Sequence, residues 1–380
     1  MAFFRSCKKQ SGGSGPSIDS LVVTTLPNKV NYGLDEPLDM TGAVITGTLD
    51  SMTGNVVNYC NYSPTVFTEE GIIPVTVSYY DKTTSFSVNC TDIGTLEETS
   101  WSKIQKVAAA GLGSQYWSVG DTKSIRVAGT VGNLNIASQT MKVFVLGFNH
   151  NSVNGIYFQC FMKANGSSDR KVVLYPPEGP GTSKTDGSKI FNMNHWGNNT
   201  YGGWAGCDAR YDILGSTDIP PSGYGSTAVS GRVGYDASST TATNPVPNTV
   251  MSILPSDLRA VIAPWTIYTD NVGTTNTAAN VTASVDYLPM MAEYELYGST
   301  SYANSAEATY QKQFDYYKNS SFDFKMCYAH NNLGNNTMYR LRSYSKSSSS
   351  QRFVNISSDG GRDHYLASMT ISFGAMFRVA

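Results

Sequence analysis

The sequence predicts a mainly β protein with an α+β part, in which a small N-terminal β-sandwich precedes a larger α+β domain. Three observations lead to this prediction. The chain has 380 residues, too many for one ordinary hydrophobic core, so two or three domains are expected. Apolar and polar residues alternate along residues 18–90, between turn signals. After residue 98, amphipathic helical segments appear among further apolar strands.

The composition excludes some classes of partner. Charged residues make up 15% of the chain, below the roughly 25% usual in soluble globular proteins, although hydrophobic residues reach 40%. The net charge of −2 gives no overall electrostatic reason to bind nucleic acid or an anionic membrane. No stretch approaches the ~18 apolar residues that span a bilayer. We therefore expect no nucleic-acid binding and no membrane insertion.

Residues 1–16 are expected to form an N-terminal arm or linker. They end in Gln-Ser-Gly-Gly-Ser-Gly-Pro, a flexible composition. Phe3, Phe4 and Arg5 make the arm a candidate assembly anchor, and a frayed terminus is the alternative. The start of the chain contains neither an apolar core nor a cleavage site, so we expect no secretory signal.

Residues 17–92 are predicted to form the β-sandwich. Val75, Val77 and Tyr79 alternate with polar residues, and the same alternation follows a turn at residues 81–82. Period-two alternation with turns every ~8–12 residues is typical of an antiparallel sandwich whose strands bury one face.

The same segment resembles a known family. The run P-N-K-V-N-Y-G-L-D-E-P-L-D-M-T-G at residues 27–42 and the strand G-I-I-P-V-T-V-S-Y at residues 71–79 are similar to the pattern of a bacterial immunoglobulin-like domain. The resemblance implies an immunoglobulin-like β-sandwich at residues 17–92. It also implies a spacer or adhesion module that carries no chemistry.

Residues 98–380 are predicted to form the larger α+β domain. Ser100 and Trp101 open an amphipathic pattern that ends near a glycine, and a later stretch is almost wholly apolar and therefore predicted to be a central strand. The expected elements are a helix from Trp101 to about Gly111, strands at residues 124–131 and 141–148, helices at residues 204–214 and near Pro255, and short strands that end at residues 370–379.

A second set of short motifs lies along this larger segment, at residues 101–104, 117–121, 203–204, 208–211, 254–258, 293, 295–298, 339–343, 354–361 and 373–377. Through these motifs the segment resembles uncharacterised domains that recur in phage and gut-bacterial surface proteins. The resemblance implies a C-type-lectin-like α+β fold, related to formylglycine-generating enzymes, that displays long irregular loops. The calcium signature of C-type lectins and the paired cysteines of formylglycine-generating enzymes are missing, so neither activity follows.

Two segments are candidate recognition surfaces. Residues 331–365 are rich in Tyr, Ser, Asn and Arg, the composition favoured in paratopes, and we expect polar loops there. His195 and Trp196 could hold a sugar ring in a second surface. Arg340 and Arg342 are expected instead to pair with buried carboxylates such as Glu293 or Glu295. The residues predicted to contact a ligand or receptor in the first segment are Asn335, Asn336, Tyr344, Lys346, Gln351, His364 and Tyr365.

The sequence gives little reason to expect catalysis. None of the six cysteines forms a CxxC motif and the four histidines lack metal-ligand spacing, so we expect no metal site and no cofactor. Cys60 and Cys90 could pair across a sandwich, but free thiols are favoured. Asp315 and Asp323, with Glu307 nearby, are the only carboxylates suggestive of a glycosidase. We predict that the protein is not an enzyme.

Together these features predict a structural, surface-displayed bacteriophage virion protein of the tail or head, assembled in the host cytoplasm. Its expected role is attachment to a host-surface glycan or protein. Other virion proteins and further copies of the chain are the expected partners. The alternatives are a capsid decoration protein that reinforces the lattice, a tail-associated glycan-degrading enzyme, and a bacterial adhesin, which the absent signal disfavours.

Overall fold

A computed structural model describes residues 17–380, apart from residues 92, 199, 201, 218–241, 273–276, 319–320 and 347–350. The protein is mainly β, as the sequence predicts. The chain divides into two compact units, Met1–Gly94 and Thr95–Ala380, which we call the N-terminal and C-terminal units. No helix among the described residues is long and apolar enough to cross a membrane.

The N-terminal unit consists of two sheets. Its strands are β1 (Ser20–Thr25), β2 (Asn31–Tyr32), β3 (Val44–Leu49), β4 (Met52–Asn55), β5 (Asn61–Ser63), β6 (Gly71–Tyr79) and β7 (Lys82–Cys90). One sheet has the order β1-β3-β4 and the other has the order β2-β7-β6-β5. A 3-10 helix, Val57–Tyr59, lies between β4 and β5.

One hydrophobic core joins the two sheets. Ile45 of β3 and Val75 and Val77 of β6 are fully buried in it, while the residues between them on β6 face outward, so the predicted alternation is confirmed. Tyr32 is also fully buried, and its hydroxyl donates to the backbone carbonyl of Asp39 at 3.2 Å. Cys60 and Cys90 are not joined by a disulfide. Because its core contains residues of both sheets, this unit buries its own apolar faces.

The C-terminal unit is organised around an eight-stranded sheet. Its strands are β8 (Thr122–Val131), β9 (Leu134–Phe148), β10 (Ile156–Asn165), β11 (Ser168–Val173), β12 (Ile262–Ala263), β15 (Cys327–Ala329), β16 (Asn332–Thr337) and β21 (Met376–Val379). A second sheet pairs β13 (Trp265–Asp270) with β14 (Val281–Asp286), and a third has the order β19 (Arg362–Leu366), β18 (Arg352–Ile356), β17 (Tyr339–Tyr344) and β20 (Ser372–Phe373).

The apolar strand at residues 141–148 is central, as predicted. It forms the second half of β9, which pairs with β8 on one side and β10 on the other. Val143, Phe144, Val145 and Leu146 are all fully buried. Consecutive buried residues are expected where both faces of a strand are covered, since adjacent side chains point to opposite faces.

The helices are short. They are α1 (Trp101–Ala109), α2 (Gly113–Tyr116), α3 (Asp208–Asp212), α4 (Val250–Ile253), α5 (Ser256–Arg259), α6 (Glu293–Tyr297) and α7 (Phe322–Lys325), with 3-10 helices at His150–Ser152, Ala278–Asn280, Ser305–Thr309 and Asp315–Tyr317. The predicted start of α1 is confirmed, because the Ser100 side chain accepts from the Lys103 amide as an N-cap.

The helix predicted at residues 204–214 is wrong in length. Only α3 is helical there, and turns occupy the glycine-rich stretch before it. Gly203 has a φ of +50°, which ordinary residues rarely adopt. Trp204 is nevertheless buried, and its indole N–H donates to Asp286 at 3.2 Å. Tyr211 and Leu214 are buried as well, while the glycines set where the helix could begin.

Candidate ligand-binding cleft

The segment predicted to form polar recognition loops is mostly sheet. Residues 331–365 contain β16, β17, β18 and the first part of β19. Asn335 is exposed and Asn336 half-buried on β16, near the edge of the large sheet. The prediction of loops over this whole segment is therefore wrong. Tyrosine is enriched in strands as well as in recognition loops, so its abundance here did not distinguish the two.

Tyr344 does not lie on a recognition surface. Only 1% of its surface is exposed, and all six residues of β17 are buried. β17 pairs with β18 on one side and β20 on the other, so it is an inner strand of its sheet. Burial raises the pKa of the Tyr344 phenol above its ordinary value. The prediction that Tyr344 contacts a ligand is wrong.

The remaining predicted residues near β17 lie closer to solvent. Gln351 is exposed, whereas Lys346, His364 and Tyr365 are half-buried. The His364 ring packs on Tyr302, with ring centroids 4.6 Å apart. Its Nδ1 lies 2.7 Å from the hydroxyl of Ser345. Burial, more than the neighbouring charges, lowers the pKa of His364.

The second predicted surface divides into a buried residue and an exposed one. His195 is only 2% exposed, and its Nδ1 lies 2.6 Å from Asn192 Oδ1. Its Nε2 lies 3.7 Å from Asp212. The prediction that His195 contacts a ligand is wrong, because its ring lies within a buried polar cluster. Trp196 is 37% exposed and remains a surface residue. The predicted anchor residues Phe3, Phe4 and Arg5 lie outside the described residues.

The C-terminal unit contains an open cleft of about 760 Å³ that the sequence did not predict. Its lining combines aromatic rings, hydroxyl groups and two cations. The lining residues are Tyr297, Ser301, Tyr302, Ser321, Phe322, Lys325 and Arg362. None of the seven is among the predicted site residues, although Arg362 lies within the predicted segment 331–365.

Three separate elements supply this cleft. Tyr297 ends α6, where Gly298 adopts a left-handed conformation and lets the chain turn away. Phe322 and Lys325 belong to α7, and Arg362 begins β19. The Tyr297 hydroxyl donates to the Gly360 carbonyl at 2.6 Å, which links α6 to the turn before β19.

Two cations lie against one aromatic ring in the cleft. The Arg362 guanidinium is 4.0 Å from the Tyr297 ring centroid, and the Lys325 ammonium is 5.1 Å from it. Burial raises the pKa of Tyr297, so its phenol stays neutral. Burial lowers the pKa of Lys325, and the positive charge of Arg362 lowers it further. The electron-rich ring face stabilises both cations.

A buried carboxylate fixes the segment that carries Ser301 and Tyr302. Glu293 is fully buried, and its side chain accepts from the amides of Ser301 at 2.9 Å and Ala303 at 2.7 Å. Arg362 Nε lies 3.4 Å from the same carboxylate. The amide donors hold this turn in one conformation, so one wall of the cleft is formed before any ligand binds.

Arg342 and Arg340 have different partners. The guanidinium of Arg342 makes two hydrogen bonds of 2.6 Å to the buried carboxylate of Glu295, which confirms the predicted pairing. Arg340 instead donates to backbone carbonyls, those of Tyr365 at 2.9 Å and Met369 at 3.0 Å among them, so the prediction of a carboxylate partner is wrong for it. Both arginines stabilise the fold and neither lines the cleft.

The carboxylates suggested for a glycosidase are not assembled in the cleft. Glu307 is fully buried and accepts from the Ser343 hydroxyl at 2.8 Å, and Asp315 pairs with Lys318. No Asp or Glu side chain is among the residues that line the cleft. Within the described part of the chain, no three His, Cys, Asp or Glu side chains come together in a way that could hold a metal ion. The cleft is equipped for binding through rings, hydroxyls and positive charge.

No protein-family model matches this chain, and no curated protein is significantly similar to it.

Proposed function

We propose that this chain is a structural, surface-displayed protein of a bacteriophage virion, and that its C-terminal unit attaches the particle to a host-surface carbohydrate. The observation that supports this proposal best is the cleft lined by Tyr297, Phe322, Lys325 and Arg362. A capacity of about 760 Å³ lies within the roughly 300–1,000 Å³ of small-ligand sites and is large enough for a short oligosaccharide.

The aromatic residues of the cleft suit a sugar ring. Phe322 is 61% exposed, an unusual state for a phenylalanine because it leaves apolar area in contact with water. A sugar presents apolar C–H faces that can cover such a ring, and its hydroxyl groups can bond to the polar rim. Ser301 and Ser321 supply hydroxyls at that rim. An exposed ring beside fixed polar groups therefore favours carbohydrate over a purely apolar ligand.

The N-terminal unit fits the role of a spacer in this proposal. Its two sheets share a core of their own, including Phe67 and Val88, and its sequence resembles bacterial immunoglobulin-like domains. Such a module can hold a binding unit away from a particle surface without contributing chemistry. The display of the chain on a phage rests on this resemblance and on that of residues 98–380.

We expect the purified full-length protein to bind members of a glycan array and the variant Phe322→Ala to bind them at least about tenfold more weakly. Loss of a stacking ring removes on the order of 1.4 kcal/mol of binding free energy. Tyr310→Ala is the matched control, because Tyr310 is also exposed and aromatic but does not line the cleft. Wild-type protein that binds no glycan, or Phe322→Ala with the parent affinity, would contradict the proposal.

Gly360→Ala should weaken the same binding by at least about tenfold, although Gly360 is not itself a lining residue. Gly360 has a φ of +82°, and a Cβ added there would overlap the Phe322 carbonyl oxygen. Relief of that overlap moves α7, and with it Phe322 and Lys325. Gly361→Ala is the control, since its Cβ would meet the movable side chain of Asp359 at 3.1 Å. Equal affinities of the two variants in a titration would show that the position of α7 does not matter for binding.

A further inference from the structure

We infer that the carbohydrate bound in this cleft is acidic, and that its carboxylate or sulfate group lies between Lys325 and Arg362. This inference rests on the proposed carbohydrate-binding function and specifies the class of ligand. It is carried by the cation pair, by the hydroxyl groups bound to Arg362, and by the distribution of carboxylates around the cleft.

Two cations and no carboxylates are among the side chains that line the cleft. Lys325 and Arg362 face the same Tyr297 ring, and no carboxylate is among the lining residues. Glu293 pairs with Arg362, whose Nε is 3.4 Å from the carboxylate, and also accepts from three backbone amides. Asp359, whose charge also acts on Tyr297, accepts from the Gly361 amide. The charged side chains that line the cleft are therefore both cations, and the nearby carboxylates do not line it.

Lys325 and Arg362 lie close enough together to repel each other. Lys325 is only 4% exposed, and both burial and the charge of Arg362 oppose its protonation. A bound anion reverses the repulsion, because it attracts both groups at once, and it restores some of the solvation that burial removed. A neutral ligand provides neither effect. The free energy of binding is consequently more favourable for an anion.

The hydrogen-bond donors of the cleft favour an acceptor group independently of charge. The Arg362 guanidinium donates to the hydroxyl oxygens of Ser299, at 2.6 Å, and Ser301. Each serine oxygen thus acts as an acceptor toward Arg362, and its own proton remains available to donate. Ser301 lines the cleft and so presents an O–H donor to the ligand. Donors on Ser301 and Arg362 favour a group made only of acceptors, such as a carboxylate or a sulfate.

The test uses an array of acidic glycans, each printed beside a neutral counterpart. Galacturonic acid oligomers and their neutral methyl esters test the effect of a carboxylate, and sulfated galactan oligosaccharides and their neutral desulfated forms test the effect of a sulfate. We expect wild-type protein to bind acidic members at least about tenfold more tightly than their counterparts. Lys325→Met, which keeps the apolar stem, should lose most of that preference, measured as the ratio of acidic to neutral affinity. Lys318→Met, which removes a lysine that is half exposed, is the control.

The possible results distinguish a preference for acidic ligands from carbohydrate binding as such. Equal binding of acidic and neutral members, unchanged in Lys325→Met, would overturn the inference and leave carbohydrate binding intact. Binding to no member would overturn both. Inorganic sulfate that competes as well as a sulfated glycan would overturn the assignment to carbohydrate. If Lys325→Met fails to fold, wild-type affinity measured from low to high NaCl decides: it should fall for acidic members only, and a flat response would contradict the inference.

Discussion

Replacement of Arg342 with alanine is expected to lower the free energy of unfolding of the C-terminal unit by about 3–5 kcal/mol. Arg342 is fully buried and bonds through two nitrogens to Glu295, with further bonds to the Met290 carbonyl and the Thr269 hydroxyl. The alanine variant leaves a carboxylate in the interior without its cation. A loss of this size is a large part of the free energy of unfolding of an ordinary domain, which is roughly 5–15 kcal/mol.

Urea unfolding followed by tryptophan fluorescence measures this effect directly, because all five tryptophans lie beyond residue 95 and report only on the C-terminal unit. Arg126→Ala removes an exposed arginine on β8 and should change stability by no more than about 0.5 kcal/mol. The double variant Arg342→Met with Glu295→Leu should recover much of the loss, since it removes both charges. An Arg342→Ala protein as stable as the parent would contradict the importance of the ion pair.

A second large effect is expected from pH. Burial raises the pKa of Glu307 to about 7, against an ordinary value of 4.5. A carboxyl whose pKa is higher in the folded protein than in the unfolded chain favours folding at low pH. That contribution is fully present below about pH 4.5 and is lost as pH rises through about 7. The shift corresponds to about 3 kcal/mol between the two limits.

Glu307→Gln tests this expectation, because a neutral amide cannot titrate. At pH 8 the variant should be more stable than the parent by up to about 3 kcal/mol, and the difference should shrink toward pH 4.5. His150 also titrates: burial lowers its pKa to about 4, so it destabilises the fold as pH falls. Comparing the variant with the parent at each pH cancels this contribution. Unfolding in urea at a series of pH values supplies the measurement. A stability difference that does not change with pH would show that folding does not raise the pKa of Glu307.

Local patterns predicted the elements whose burial depends on near neighbours in sequence. The alternation around Val75 and Val77 gave β6 its buried face, and Ser100 with the stripe from Trp101 located α1. The same reasoning failed for Tyr344 and His195. Both lie in polar sequences that look exposed, yet Tyr344 is on an inner strand and His195 is enclosed by residues such as Asp212. Which strand is inner depends on pairings between distant segments, and composition does not contain that information.

The cleft could not be predicted because its walls meet only in the folded chain. Tyr297, Phe322 and Arg362 come from three elements, and their contact depends on details such as the close approach of Gly360 to Phe322. A weak signal existed in α7, where two phenylalanines and a lysine stand within four residues. A short aromatic and basic run of this kind is common in ordinary cores, so the run alone would not have singled out a site.

The most direct test of the central claim is a crystal structure of the full-length protein with the glycan that binds most tightly on the array. We predict a sugar ring packed on Phe322 and Tyr297, with its acidic group within hydrogen-bonding distance of Lys325 and Arg362. A glycan bound elsewhere, for example against Trp196 or on β16 at Asn335, with the cleft left empty, would contradict the assignment of this cleft as the recognition site.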